Sequence, residues 1–297
     1  MNTDQKLFQC RGLVKRFPGF QLGPLDLELE PGTVLGFVGP NGSGKSTTIN
    51  CLAGLLRPEA GEVRILGGVP GAGDDAWKSD LGYVGEVLSF YENWSGEKNL
   101  GFLSQFFPNW SRSLEADLAR RFRVPLERKV KHLSKGNRVK LALIGVLARS
   151  PRLLLLDEPT GGLDPVVRTE VLDTLYGLLE SGERSILYST HILSDIARLV
   201  DELAFLVDGR LVLRTSKEDL VTKWRRISFS AADEPPQLAA AVSHQRDGRD
   251  HQVISSDHES TLRQLSELGA RDVLETRLGI DEIAVHILKG ADHVEAA

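Results

Sequence analysis

The residues best equipped for chemistry lie in one stretch, Gly39, Pro40, Asn41, Gly42, Ser43, Gly44, Lys45, Ser46 and Thr47. Gly39, four residues, then Gly44-Lys45-Ser46 is the full P-loop spacing. Glycines let successive backbone N–H groups wrap a phosphate, and a helix beginning there adds its partial positive charge. Lys45 is placed to reach a terminal phosphate, and the Ser46 hydroxyl to ligate Mg²⁺. The alternative is a glycine-rich turn without function. The flanks argue against it, because an apolar run, Val34 to Val38, precedes the loop and a helical stretch, Ile49 to Leu52, follows.

A second stretch, Leu153 to Thr160, reads LLLLDEPT. Its apolar run ends in two carboxylates. Asp157 suits the Mg²⁺ shell, and Glu158 is placed to polarise an attacking water as a general base. An acidic pair after a strand is often only a solvated strand end. With a phosphate-binding loop upstream, the catalytic reading is favoured.

Something must position these groups. Leu25 to Leu29, Val34 to Val38, Gly61 to Leu66, Leu153 to Leu156, Ile186 to Tyr188 and Leu203 to Val207 read as strands. They alternate with helical patterns, which predicts an α/β fold with a mostly parallel sheet. Residues 95 to about 150 break the alternation and read as helical throughout, cut by Pro108 and Pro125. Val139, Ala142, Leu143, Val146 and Leu147 fall on one helix face there. This predicts a helical subdomain inserted into the sheet domain.

The chain has 297 residues, enough for about two domains. Net charge is −5, and residues 225–297 carry 8 Lys and Arg against 13 Asp and Glu, while residues 1–224 hold 28 of each. The shift places a boundary near Trp224 and predicts a small α+β C-terminal extension. Arg226 to Ser230, Val253 to Ser255 and Arg271 to Glu275 are candidate strands there. A helix is expected from an Asp257 cap to Leu268 with Gly269 as its stop, and another from Asp281 to Leu288. The five histidines of this segment lack metal-ligand spacing and are expected at the solvated surface. Neither part is basic enough for a nucleic-acid footprint, so no nucleic-acid partner is expected. No apolar stretch is long enough to span a membrane, and the first ten residues lack the apolar core of a secretory signal. Two isolated cysteines, Cys10 and Cys51, fit a reducing cytoplasm.

With these motifs in series, residues 5 to about 220 resemble the ATP-binding subunit of an ABC transporter. The family's LSGGQ signature reads LSKGN here, Leu133 to Asn137; its D-loop is Gly161 to Asp164; its switch histidine is His191. The wording from Phe107 to Trp110 and from LSKGN through LDEPTGGLDPVVR is similar to bacterial subunits with a separate permease chain, many of which serve exporters. The resemblance implies a P-loop NTPase core with the helical subdomain inserted and ATP and Mg²⁺ as cofactors. It also implies ATP hydrolysis coupled to transport, at the cytoplasmic face of the cell membrane.

By that resemblance Glu158, His191 and Lys45 are catalytic, and Phe17 stacks on adenine, with Phe20 as the rival. Ser134, Gly136 and Asp164 reach the nucleotide held by a second copy. Each motif occurs once, so two chains, identical or closely related, are expected to sandwich two ATP. Where the family has a metal-sensing glutamine, this chain has Glu86. It is expected beside Ser46 and Asp157 in or near the metal shell. Competing readings are a soluble ATPase of the same superfamily acting on ribosomes or DNA, and a nucleotide-binding regulator. The first lacks the expected tandem halves or coiled-coil insertions; against the second stand Glu158 and His191.

Overall fold

The computed structural model describes residues 6–179, 184–231 and 238–293. In chain order, β1 (Phe8–Phe17), β2 (Phe20–Leu29) and β3 (Val34–Val38) lead into α1 (Lys45–Leu52), followed by β4 (Ala60–Ile65) and β5 (Leu81–Val84). Then come α2 (Gly96–Leu103), α3 (Arg112–Phe122) and α4 (Lys135–Leu147), and β6 (Leu153–Asp157) with α5 (Pro165–Leu179). The rest of the first unit is β7 (Ser185–Thr190), α6 (Leu193–Ile196), β8 (Glu202–Val207), β9 (Arg210–Ser216) and α7 (Lys217–Lys223). The C-terminal part holds β10 (Arg225–Ser230), β11 (Ala241–Asp247), β12 (Asp250–Ser255), α8 (His258–Glu267), β13 (Arg271–Arg277) and α9 (Ile280–His293).

Six strands form the central sheet in the order β5-β6-β7-β3-β8-β9. All neighbours are parallel except β9, which pairs antiparallel with β8. The four leucines of β6 are fully buried, as a strand covered on both faces requires. Each contributes about 1.5–3 kcal/mol of apolar burial. The order β6-β7-β3 matters for function. Asp157 is level with Ser189, and Val38 with Thr190, so three strands deliver their C-terminal ends side by side. A second, antiparallel sheet, β2-β1-β4, covers one flank. It shares a core with β3 and α1 through Phe8, Leu25, Phe37 and Ile49.

The inserted segment is not helical throughout. Three helices, α2, α3 and α4, are separated by irregular chain, and Pro108 and Pro125 both lie in the gaps. Ser95, Ser111 and Ser134 each accept a hydrogen bond from the backbone N–H three residues on, so each helix starts at a serine cap. Nor does α4 bury one stripe. From Val139 to Ala148 every residue except Ala142 is buried, including Lys140, which pairs with Glu170 and donates to Phe122 O. Tertiary packing on both sides overrides the single-face pattern.

Four antiparallel strands in the order β11-β12-β10-β13 make the C-terminal sheet, with α8 on one face. Asp257 caps α8 by accepting from Ser260 N, and Gly269 takes the left-handed conformation after it. His251 is not at the solvated surface. It is buried, stacks on Phe229 at 5.0 Å between centroids, and shares a 2.9 Å hydrogen bond with His244. The unit is tied to the first one by α9. Ile283, Ala284 and Ile287 belong to the same apolar core as Leu203 and Phe205 of β8, and Ser194 N donates to Asp281 Oδ1 at 2.8 Å.

Two outcomes follow. A chain ending at Trp224 uncovers the α9 footprint, about 3–6 kcal/mol of apolar burial. Its melting midpoint is expected to fall by roughly 10 °C; an unchanged calorimetric midpoint contradicts the shared core. Both thiols are buried, and burial pushes Cys10 up to about 12 and Cys51 up to about 11. At pH 8 neither carries appreciable thiolate, so a thiol reagent is expected to label neither cysteine in the folded chain and both in denaturant. Fast native labelling contradicts this placement.

Candidate functional site

The loop after β3 closes on itself before α1 starts. Gly42 and Gly44 both take positive φ, which a side chain would strain. An added Cβ at Gly44 would also sit 3.1 Å from the Phe20 ring. A Cβ at Gly39 would come within 2.2 Å of Leu206 O, so β8 presses the loop from behind. Lys45 is buried, and its Nζ donates to Gly39 O at 2.8 Å and Pro40 O at 3.0 Å. The ammonium is thereby folded back over its own loop. Ser43 Oγ is buried with no hydrogen-bond partner among the described residues.

The carboxylate end faces this loop. Glu158 has φ +48, an unfavourable backbone for a side chain of that kind. Ser189 holds it there: Ser189 Oγ accepts from Glu158 N at 3.0 Å and donates to Asp157 Oδ1 at 2.6 Å. One oxygen of Glu158 lies 3.4 Å from Lys45 Nζ, and the other 2.9 Å from His191 Nδ1. The first of those oxygens has no hydrogen-bond partner among the described residues. A chain of Lys45, Glu158 and His191 thus crosses the site, drawn from the ends of β3, β6 and β7.

These groups line a cavity of about 1120 Å³. Of the residues expected from the sequence, it brings together Phe17, Asn41, Gly42, Gly44, Lys45, Ser46, Thr47, Glu86, Glu158 and His191, and also the rival Phe20. Gly39, Pro40 and Ser43 are not in the cavity wall: Gly39 and Ser43 are buried within the loop and Pro40 is exposed. Asp157 is buried, and burial, with a smaller contribution from the Asp157 charge, raises the Tyr83 phenol above its ordinary range. Both aromatics have a place: Phe17 exposes its ring, while Phe20 backs Gly44.

Ser134, Gly136 and Asp164 are not in the cavity wall, although their neighbours Lys135, Gly161 and Gly162 are. Ser134 caps α4, Asp164 Oδ1 accepts from Val166 N and Val167 N at the start of α5, and Gly136 packs against Val167. Sequence reasoning missed Lys135 and Arg138, which do line the cavity, and Ser189, which sets both carboxylates. The signal for Ser189 was its place two residues before His191 at the end of an apolar strand.

The residues fit a triphosphate and a hard cation. A buried lysine parked on loop carbonyls, a hydroxyl and a carboxylate oxygen without partners, and glycine N–H groups at a helix start are unfilled bonding capacity. Ser46 and Asp157 carry oxygens of the hard kind that would suit a cation such as Mg²⁺. Replacing Glu86 by Gln removes a negative charge from the cavity wall. The expected outcome is a changed Mg²⁺ concentration for half-maximal turnover; an unchanged Mg²⁺ dependence removes Glu86 from the metal shell.

Comparison with known proteins bears on the family and the fold. The profile of the ABC transporter family matches residues 22–161. The daunorubicin/doxorubicin resistance ATP-binding protein DrrA of Streptomyces peucetius is 33% identical, over 93% of this chain and 89% of its own. The bacitracin transport ATP-binding protein BcrA of Bacillus licheniformis is 28% identical, over 88% and 86%. Among solved structures, the ATP-binding subunit of an ABC transporter superposes with a TM-score of 0.65 at 27% identity, covering 72% of this chain and 91% of that one. A cassette solved as a dimer bound to ADP and Pi gives 0.63 at 22% identity, over 71% and 98%, a likeness of fold.

Proposed function

The chain belongs to the ABC transporter family as an ATP-binding, ATP-hydrolysing subunit, and on that premise we propose that it powers an exporter whose permease is a separate chain. The observation that carries the reading is the Lys45–Glu158–His191 line across one cavity large enough for a nucleoside triphosphate. The relatives DrrA and BcrA, named for drug resistance and bacitracin transport, support export.

In this reading the loop N–H groups and Lys45 bind the β- and γ-phosphates of ATP, and the exposed Phe17 ring stacks on adenine. Lys45 leaves the Gly39 and Pro40 carbonyls for the phosphates, which removes its pull on Glu158. Glu158 then accepts a proton from the attacking water, and His191, on its other oxygen, orients it and contacts the γ-phosphate. Bound Mg²⁺, held by Ser46 and Asp157 with Glu86 close by, supplies charge neutralisation at the phosphates. The Ser134 cap, Gly136 and Asp164 lie outside the cavity and complete the site of a second chain, so two ATP are enclosed between two copies or close relatives.

The permease is proposed to dock on the helical insert at the cytoplasmic membrane surface. Tyr91 stacks on Trp94 at 4.3 Å, Phe102 is edge-on to both and Phe106 edge-on to Phe102, and Tyr91 and Phe106 are exposed. No helix among the described residues is long and apolar enough to cross a membrane. Residues 1–224 are assigned the ATPase role and 225–297 an accessory role.

Lys45→Ala is expected to abolish turnover and weaken ATP binding. Glu158→Gln is expected to bind ATP with near-normal affinity and hydrolyse it on the order of 10²–10⁴-fold more slowly. Phosphate release and nucleotide titration check both; normal turnover by either variant overturns the assigned roles.

A further inference from the structure

Arg138 joins two parts of the molecule that the catalytic reading leaves unconnected. Its guanidinium makes a two-pronged pair with Glu92, at 2.8 Å to one carboxylate oxygen and 3.1 Å to the other. The same side chain donates from Nε to Leu133 O, the first carbonyl of the LSKGN stretch, at 3.4 Å. Glu92 is held from a second side, since its own carbonyl accepts from Lys131 N at 3.0 Å. Beside it Val130 N donates to Trp94 O at 2.9 Å, Gly96 N to Arg128 O and Glu97 N to Leu126 O. Residues 92–97 are thus zipped by backbone hydrogen bonds to residues 126–131, which run directly into the start of α4.

We infer that Glu92, acting through Arg138, is a positioning residue that sets the start of α4 for its contact with the second chain's nucleotide. The inference rests on the proposed two-chain site. A bidentate carboxylate–guanidinium pair fixes angle as well as distance. Clamped to Leu133 O, Arg138 fixes the turn that presents Ser134 and Gly136. Because Tyr91 and Trp94 flank Glu92, a displacement of the aromatic patch is carried to α4 by the same pair. Arg138 lines the nucleotide cavity but Glu92 does not. Loss of the Glu92 side chain therefore acts on the meeting of two chains and not on nucleotide capture by one.

The test is a double-mutant cycle in the full chain: Glu92→Ala, Arg138→Ala and both together, with Glu92→Gln as the milder partner variant. Two quantities are read: the ATP dissociation constant at low protein concentration, and the protein concentration giving half-maximal specific turnover. Glu92→Ala and Glu92→Gln are expected to leave ATP affinity within twofold of wild type. Glu92→Ala is expected to raise the half-maximal protein concentration about three- to tenfold, and the double variant to be no worse than the poorer single one, as for residues that act as a unit. Multiplying effects, or a Glu92→Ala or Glu92→Gln chain that folds with unchanged concentration dependence, overturn the inference. A wild-type chain whose specific turnover does not depend on concentration overturns the two-chain reading beneath it.

Discussion

The arrangement depends on one constraint: β6, β7 and β3 run parallel and in neighbouring order, so their C-terminal ends meet at one edge of the sheet. Each end then delivers charged or titratable groups. Strand β3 leads to Lys45, β6 to Asp157 and Glu158, and β7 to Ser189 and His191. A parallel sheet demands crossovers long enough to return each strand to the same starting edge. The helices and the inserted subdomain meet that demand, and their packing buries the strands on both faces. The chemistry is local to three strand ends, but its geometry is fixed by the whole sheet.

Within that frame, the ground state of the site is electrostatically self-contained. Lys45 lies on two carbonyls and against Glu158, and Glu158 spans to His191. An entering triphosphate competes for Lys45 and brings its own negative charge toward Glu158. Ser189 holds the Glu158 backbone, and Lys45 and His191 face its carboxylate, so the group is placed before ATP arrives. The proposed second chain adds donors from the far side, which makes closure depend on the γ-phosphate.

The candidate catalytic residues stand out in the sequence because the proposed chemistry imposes spacing. Gly39 to Ser46 and Leu153 to Glu158 need consecutive residues of fixed type, and both emerged as strand-to-loop transitions. Other parts left no local trace. Strand β1 carries Arg11, Gly12, Lys15 and Arg16, which break alternation, and is set by pairing with β2 and β4. Helix α4 reads as one-faced but is packed nearly all round. The seating of α9 on β8 joins residues about 80 apart, a contact no window of sequence reveals. Glu92 and Arg138 are likewise ordinary charges until the fold places them together.

The central claim is that the nucleotide site is completed by a second chain. The buried native thiols make a direct test clean. Asn41 and Ser134 are both exposed, one on the phosphate loop and one at the start of α4. Chains carrying Asn41→Cys and chains carrying Ser134→Cys, each in a Glu158→Gln background, are mixed and oxidised with and without ATP. The account predicts a covalent dimer of the two different chains that forms only with ATP. Absence of that dimer at any ATP concentration, or its formation at the same rate without ATP, contradicts it.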